Sequence, residues 1–461
     1  MKTFTFKGGI YPPEHKELAE GKKITAAFPA SKTLTIPITM GGAPNQPTVA
    51  VGDKVVRGQV IAKSDAFVSA PVHSPISGTV KKIVSNLSTA NSEVPCIVIA
   101  ADEDPNAGEQ FMQPLDPFAC SKEEALTRVR DAGICGMGGA SFPTHVKLNP
   151  PKDCKIDYVL LNAAECEPYL TVDEQTLDES ADKVCDGLLI VQKIVGGQPK
   201  IVLESNKAHL IPKIQEAIDK AAAAIAGSPK IEIKVVKTKY PQGAEKNIIT
   251  AVTGREVKSG GLPASAGCVV CNVGTVCAIS DAFRFGKPLI ERAFTVSGLG
   301  VKEPKNLLVP LGTLVSDLIP SVIEVEEDKV AKILSGGPMM GFSMQSAAFP
   351  VQKGTSGVLF LTAKEIDTAE ATPCISCGSC IKACPMRLTP VLIVRSVDAK
   401  DLGDAKKYGL MDCIECGSCA YVCPARVRLV QTIRIGKNLE RARIAEERAK
   451  AAQNANNGGA K

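Results

Sequence analysis

Residues 374–385 read CISCGSCIKACP, and residues 413–424 read CIECGSCAYVCP. Each stretch is C-x2-C-x2-C-x3-C followed by proline, the spacing that ligates a 4Fe-4S cluster. Cys374, Cys377 and Cys380 share one tight loop, and Cys413, Cys416 and Cys419 share another. In each motif the fourth cysteine opens the next helix and points away, so the fourth ligands are expected to be exchanged. Cys423 then completes the first set and Cys384 the second. Gly378 and Gly417 suit loops that lie close against a cluster and leave backbone N–H groups free for its sulfurs. A pair of structural zinc sites would also use four cysteines each, but zinc ribbons separate two C-x2-C knuckles by a long spacer. Here three cysteines fall within seven residues, twice. The linking stretch 389–410, TPVLIVRSVDAKDLGDAKKYGL, has helical periodicity. The segment therefore reads as a helical domain with two clusters, a relay for single electrons.

The rest of the chain is too long to be one domain. At 461 residues it exceeds the roughly 250–300 at which a single core stops growing. A hydrophobic share of 44% with 22% charged residues excludes a mainly disordered or collagen-like chain. Eight of the 17 cysteines belong to the two motifs, and the other nine read as small buried side chains. The formal charge of +5 is carried entirely by residues 425–450, so nothing points to a nucleic-acid partner. No apolar run approaches the roughly 18 residues of a membrane span. The opening MKTFTFKGGIYPPEH lacks the apolar core of a signal peptide. A cytoplasmic chain, free or docked on a membrane partner, is expected.

Residues 48–84 alternate β-branched residues with Gly52, Gly58, Pro71, Pro75 and Gly78, the pattern of a small all-β unit. It resembles the barrel-sandwich hybrid of lipoyl and biotinyl carrier domains. Those carriers present a modifiable lysine at the turn that here reads Ser64-Asp65-Ala66-Phe67-Val68-Ser69, so docking or scaffolding is expected instead of a swinging arm. Ser121 and Glu124 form a capping box for a helix that Gly133 ends. Strand and helix then alternate to about residue 236, the form of an α/β layer with a mostly parallel sheet. Residues 294–319 read as two strands and a short helix and resemble the β-grasp module called SLBB. The expected boundaries are 1–115 for the hybrid barrel, 116–265 for the α/β domain, 266–350 for the β-grasp domain and 360–440 for the cluster domain. Residues 441–461, poor in apolar surface, are expected to form a disordered tail.

A glycine-rich loop, GICGMGGASFPTHVK at 133–147, follows the capped helix. Gly136, Gly138 and Gly139 would let the backbone approach a flat ring or a phosphate, and Lys147 could supply a cation. A tight turn would use glycines as well, so the loop alone leaves both readings open. Its context is specific. GMGGASFPTHVK is similar to the flavin loop of the NADH-oxidising subunit of respiratory complex I, and LNAAECEP (161–168), YPQGAEKNI (240–248) and CNVGTVCAI (271–279) follow in that family's order. The resemblance implies non-covalent FMN bound by Gly136, Gly138, Gly139, Lys147, Asn162, Glu165, Asn272 and Thr275. It also implies Glu167 and Glu245 beside the nicotinamide nucleotide and Phe142 beside its rings. Where that family has an Asp and one of two paired Glu residues, this chain has Ala164 and Ala244.

The whole order, FKGGIYPPEHK, lysine-free hybrid barrel, flavin domain, SLBB and two-cluster helical ferredoxin domain, resembles the RnfC family, the flavin- and cluster-bearing subunits of the Rnf complexes, which are membrane ferredoxin:NAD oxidoreductases. That implies an NADH/NAD-binding electron-transfer subunit on the inner face of the membrane. Its partners would be integral membrane subunits, coupled to Na⁺ or H⁺ movement, and a ferredoxin-type subunit. Two other readings stay open: a soluble flavin and iron-sulfur cobalamin reductase of the propanediol-utilisation type, and an iron-sulfur scaffold without catalysis. The N-terminal segment and the barrel placed before the flavin domain favour the first reading. His73, His209, Cys166, Cys268, Cys271 and Cys277 are expected to serve packing or the surface.

Overall fold

The computed structural model describes residues 3–225 and 227–458. Residues 33–101 fold as two facing antiparallel sheets. One runs Thr33–Pro37, Glu93–Ala101, Gly78–Leu87, Lys54–Val55, and the other Gln46–Pro47, Val60–Lys63, Val72–His73. Leu34, Ile36, Ile61, Val80, Ile97 and Ile99 point inward from alternate positions and close the core of the expected hybrid barrel.

The helix Lys122–Asp131 begins at the expected capping box, with both of its reciprocal hydrogen bonds formed. Beyond it lies a parallel sheet in the order Glu232–Val236, Gln198–Glu204, Tyr158–Ala163, Cys268–Asn272. Successive side chains alternate between two cores. Leu161 and Ile201 face the helices Ala181–Val195 and Val273–Arg284, while Leu160 and Val202 face the helix Glu245–Thr253. In chain order these strands run 3-2-1-4, so the topology switches between Tyr158–Ala163 and Cys268–Asn272. The crevice beyond the carboxyl ends of such a strand pair is where ligands settle in open α/β sheets. Because Cys268–Asn272 and its helix complete this sheet, the boundary expected at 265 falls inside the domain, which runs on to about residue 284. The apolar run 268–271 is as compatible with the start of a new unit as with a central strand, which is why the sequence misplaces the boundary.

A six-stranded mixed sheet follows, ordered Ile24–Ala26, Lys305–Pro310, Glu291–Ser297, Gly357–Thr362, Val330–Ser335, Phe342–Met344. Its core holds Phe294, Val296, Leu307, Phe349 and Phe360. This β-grasp unit reaches past the expected limit of 350, because Gly357–Thr362 pairs in parallel with Glu291–Ser297 at its centre.

The first residues do not belong to the barrel. Phe4 pairs with the edge strand of the parallel sheet, and Ile10 exchanges two backbone hydrogen bonds with Tyr240. Between them Gly9 donates its N–H to the Ala383 carbonyl in the cluster domain. Gly8 has φ +83° and lies so close to that domain that a Cβ would stand 2.6 Å from the Cys384 carbonyl oxygen. This strap ties the flavin-type sheet to the cluster domain.

The cluster domain is helical as expected, with helices Pro390–Asp398 and Leu402–Lys407 between the two motifs. Its core is built on Ile393, Leu410, Leu429 and Ile433. The expected disordered tail is corrected over most of its length: the helix Leu429–Gly458 continues through it, and residues 459–461 lie outside the described residues. The packed turn at Leu429, Val430 and Ile433 nucleates the helix. Ala, Arg and Glu then propagate it at low cost, with Arg443 paired to Glu447.

Candidate redox sites

At the switch point, Asn162 and Asn272 are register partners on adjacent strands. Asn162 donates to the Gly243 carbonyl at 2.8 Å and accepts from the Ala164 N–H at 3.1 Å, holding the loop 162–164 against the segment that carries Glu245. Asn272 caps the helix Val273–Arg284 through the Gly274 N–H and donates to Asp173 at 2.6 Å. One turn on, the Thr275 hydroxyl accepts from the Met137 N–H at 2.9 Å, and Arg292 donates to the Met137 carbonyl at 2.9 Å. The glycine loop is therefore fixed at its middle.

Gly139, at φ +107°, is required by the backbone, but Gly136 and Gly138 are required neither by backbone conformation nor by close packing. A Cβ on Gly136 or Gly138 would find its nearest neighbour at 3.6 Å, and one on Gly139 would meet nothing within 4 Å. That open space borders Asn272 and is a cradle that side chains would fill, which fits a flat ring such as a flavin. Lys147 donates to the Val270 carbonyl at 3.0 Å and pairs with Glu245. Burial opposes its charge, but the Glu245 carboxylate and the neighbouring Cys271 together outweigh it, and its pKa stands above the ordinary lysine value. Phe142 is exposed at the end of the loop.

The two glutamates of the LNAAECEP segment diverge. Glu165 accepts from the backbone N–H groups of Asp173 and Glu174, at the start of the helix Val172–Glu179, and faces Lys207 at 3.8 Å. Glu167 turns to the loop between Val330–Ser335 and Phe342–Met344 of the β-grasp sheet, where it accepts from the N–H groups of Met339 and Met340 at 3.1 Å, and it contacts the Tyr240 hydroxyl at 3.3 Å. Burial pushes Glu167 up to about 7 despite these donors. Four charged residues that the sequence did not single out complete the floor of the site: Lys16, Asp173, Lys207 and Arg292. Burial first, and then the neighbouring Glu165, push Asp173 above the usual carboxylate range, while Arg292 pulls the other way. Asp173 sits in an ordinary acidic first helical turn and Arg292 comes from another domain, so no local signal marks either.

The eight motif cysteines gather in two pockets. Cys374, Cys377, Cys380 and Cys423 line one, and Cys384, Cys413, Cys416 and Cys419 line the other. Each pocket is thus lined by three cysteines of one motif and the fourth of the other. The two loops repeat one geometry: Gly378 and Gly417 are left-handed, and the N–H groups of Ser376 and Glu415 point at the sulfurs of Cys374 and Cys413 at 3.4 and 3.3 Å. Burial pushes the Cys413 thiol up to about 11, and a cationic guest in this pocket would favour its thiolate. Iron in a cluster is such a guest.

The pockets differ in setting. Cys374 and Cys377 are exposed, as are Ile375, Ile381 and Tyr421 around them. The second pocket backs onto the flavin-type domain, where Ile10, Tyr240, Ala383 and Cys416 form one apolar cluster with Cys166 at its margin. The Tyr240 hydroxyl donates to the Cys416 carbonyl at 2.7 Å across that junction. Outside the two pockets, Cys268 and Cys271 lie in the buried parallel sheet and His73 in the barrel, as packing residues, while His209 stands exposed 3.6 Å from Glu174.

A switch-point cradle for a flat ring, joined by a strap to a helical domain with two cysteine pockets, defines an iron-sulfur flavoprotein. Family models agree along the chain: the RnfC Barrel sandwich hybrid domain matches residues 4–104, the Nuo51 FMN-binding domain 129–281 and the 4Fe-4S dicluster domain 366–424. A relative from Clostridium ljungdahlii, described as the C subunit of a proton-translocating ferredoxin:NAD(+) oxidoreductase complex, is 46% identical over 97% of this chain and 96% of its own. The Acetobacterium woodii relative, described as the C subunit of a Na(+)-translocating ferredoxin:NAD(+) oxidoreductase complex, is 40% identical over 95% and 97%. The chain belongs to this RnfC family, the C subunits of ion-translocating oxidoreductase complexes, which decides against the cobalamin reductase reading. A crystal structure of an NAD+-reducing [NiFe]-hydrogenase in the H2-reduced state shares the fold, with a TM-score of 0.50 at 20% identity over 69% of this chain and 64% of that one.

Proposed function

We propose that this chain is the NAD-facing electron-transfer subunit of a membrane ferredoxin:NAD oxidoreductase complex, peripheral on the cytoplasmic side. FMN, when bound, exchanges electron pairs with NAD and single electrons with 4Fe-4S clusters. The chain's own part is to hold these groups in order. Gly136, Gly138 and Gly139 make room for the flavin, and Asn162, Glu165, Asn272 and Thr275 fix the walls around it. Lys147 supplies a cation paired with Glu245, and Phe142 is assigned to the nucleotide side, while Glu167, expected there as well, has its carboxylate held by Met339, Met340 and Tyr240 beside the inner cysteine pocket. Cys384, Cys413, Cys416 and Cys419 hold the cluster nearer the flavin, and Cys374, Cys377, Cys380 and Cys423 hold the one that faces partners.

The observation that carries this reading is the seating of one cysteine pocket against Tyr240 of the flavin domain while the other opens to the surface. Among the described residues no helix is long and apolar enough to cross a membrane. Ion movement is accordingly assigned to other subunits. The test is fractionation with and without the membrane subunits. The chain should pellet with membranes when they are present and stay in the supernatant when they are not. Retention on lipid vesicles alone at high salt would mean that the basic helix after residue 425 anchors it directly.

A further inference from the structure

The two cysteine motifs are one loop built twice. Aligned on their cysteines, Ile375 matches Ile414, Ser376 matches Glu415, Gly378 matches Gly417 and Lys382 matches Tyr421. The backbones repeat as well: Ser376 and Glu415 have φ of +57° and +56°, and Gly378 and Gly417 of +74° and +80°. In both loops the sulfur of the second cysteine lies 3.4 Å from the serine hydroxyl two residues on. One domain therefore carries two surfaces of the same local shape, and only one of them is covered.

The covered surface belongs to the second motif. Ile414 and Cys416 join Ile10, Tyr240 and Met339 in one apolar cluster. The Tyr240 hydroxyl donates to the Cys416 carbonyl, and the Met339 carbonyl lies so near Gly417 that a Cβ there would stand 2.8 Å from its oxygen. The charges beside it are matched, since Arg434 and Lys437 both pair with Glu415. The first motif has no such cover. Ile375 is 66% exposed, and a Cβ on Gly378 would meet nothing within 4 Å. Ile375, Gly378, Ile381 and Arg395 line one pocket with the cysteines, and the charge of Lys382 is felt at Cys377. Where the second motif has the anchoring Glu415, the first has Ser376. Among the described residues, neither Lys382 nor Arg395 has a carboxylate partner.

We infer that this uncovered face docks an electron-transfer protein in the way the second motif docks the flavin domain. The partner would set an apolar side chain on Ile375, main chain over Gly378 and a hydrogen-bond donor at the Cys377 carbonyl. Carboxylates at its rim would meet Lys382 and Arg395, because an acidic rim is the complement that two unpaired cations select. The inference rests on the proposed reading of this chain as a subunit of a membrane electron-transfer complex, and it gives the chemistry of the partner and the residues that meet it.

The test uses the full chain loaded with flavin and clusters, and membrane vesicles that carry the other subunits of the complex but not this chain. Sedimentation reads rebinding. Protein-free vesicles of anionic phospholipid and ultracentrifugation of the chain alone are the controls. Ile375→Asp should weaken rebinding about tenfold or more, and Ile375→Leu should leave it unchanged. Lys382→Glu combined with Arg395→Glu should weaken rebinding and remove most of its dependence on salt. In every variant NADH should still bleach the flavin. Rebinding of Ile375→Asp and of the charge pair with unaltered affinity would overturn the inference. So would an equal loss on protein-free vesicles, which makes the occupant lipid, or self-association of the unaltered chain that Ile375→Asp abolishes, which makes it a second copy. Should Ile375→Asp lose iron, the charge pair decides alone. If the unaltered chain does not rebind, the reading of it as a subunit of that complex fails instead.

Discussion

Replacing Gly8 by alanine tests whether the N-terminal strap holds the two redox domains together. At φ +83° an alanine is strained, by about 1–2 kcal/mol. Its Cβ would also stand 2.6 Å from the Cys384 carbonyl oxygen, against the 3.4 Å at which such contacts become ordinary, so strap and ligand loop must separate by about 0.8 Å. Neither neighbour is a flexible side chain. Overpacking of this kind costs about 1–3 kcal/mol. Gly21→Ala is the matched control, because Gly21 has φ +71° with nothing within 4 Å of its Cβ direction. The difference between the two variants isolates the contact with the cluster domain. It corresponds to a factor of about 5–150 in local opening. Hydrogen exchange followed by mass spectrometry on residues 4–12 reads that opening directly, since the Gly9 and Ile10 N–H groups bond Ala383 and Tyr240. Protection in Gly8→Ala equal to that in Gly21→Ala would refute the idea that the strap clamps the cluster domain.

The exchanged ligands make a crossed prediction: Cys384→Ser should damage the cluster held with Cys413, Cys416 and Cys419, and Cys423→Ser the one held with Cys374, Cys377 and Cys380. Spectra of the remaining cluster in each variant, compared with Cys416→Ser and Cys377→Ser, decide it. Lys147→Met should leave Glu245 without its partner and loosen flavin binding by about tenfold or more, read as flavin lost on gel filtration. His73 bears on acid stability. Burial and then the Lys353 charge push it down to about 3, so below its ordinary value near 6.5 the unfolded chain takes up a proton that the folded chain refuses. Stability is full above pH 6.5 and falls as pH drops toward 3, by up to about 1.4 kcal/mol per unit. His73→Gln should flatten that part of the melting-temperature profile, and an unchanged slope would contradict the assignment.

What could be read from the sequence was local. The cysteine sets and the expected exchange of Cys384 and Cys423 follow from the spacing of two 12-residue motifs, and each pocket is lined by three cysteines of one motif and the fourth of the other. The capping box at Ser121 and the strand and helix alternation were legible for the same reason. The missing pieces are long-range. Arg292 reaches the Met137 carbonyl from the β-grasp sheet, Lys16 reaches the Glu167 carbonyl from the strap, and Tyr240 bonds a cluster-domain carbonyl. None of these has a period or spacing that announces it. The lysine-free turn showed what the barrel does not do, but only its contact with His145 shows where its phenylalanine stands.

The central claim is an order: flavin site, then the pocket of Cys384, Cys413, Cys416 and Cys419, then the exposed pocket. Anaerobic stopped-flow with NADH, following flavin and cluster bands separately in Cys377→Ser and Cys416→Ser, tests it most directly. Both variants should bleach the flavin at the unaltered rate. With the outer cluster lost in Cys377→Ser, the inner one should still be reduced as quickly as in the unaltered chain. With the inner cluster lost in Cys416→Ser, rapid reduction of the outer cluster should disappear. Reduction of the outer cluster at the unaltered rate in Cys416→Ser would contradict the order.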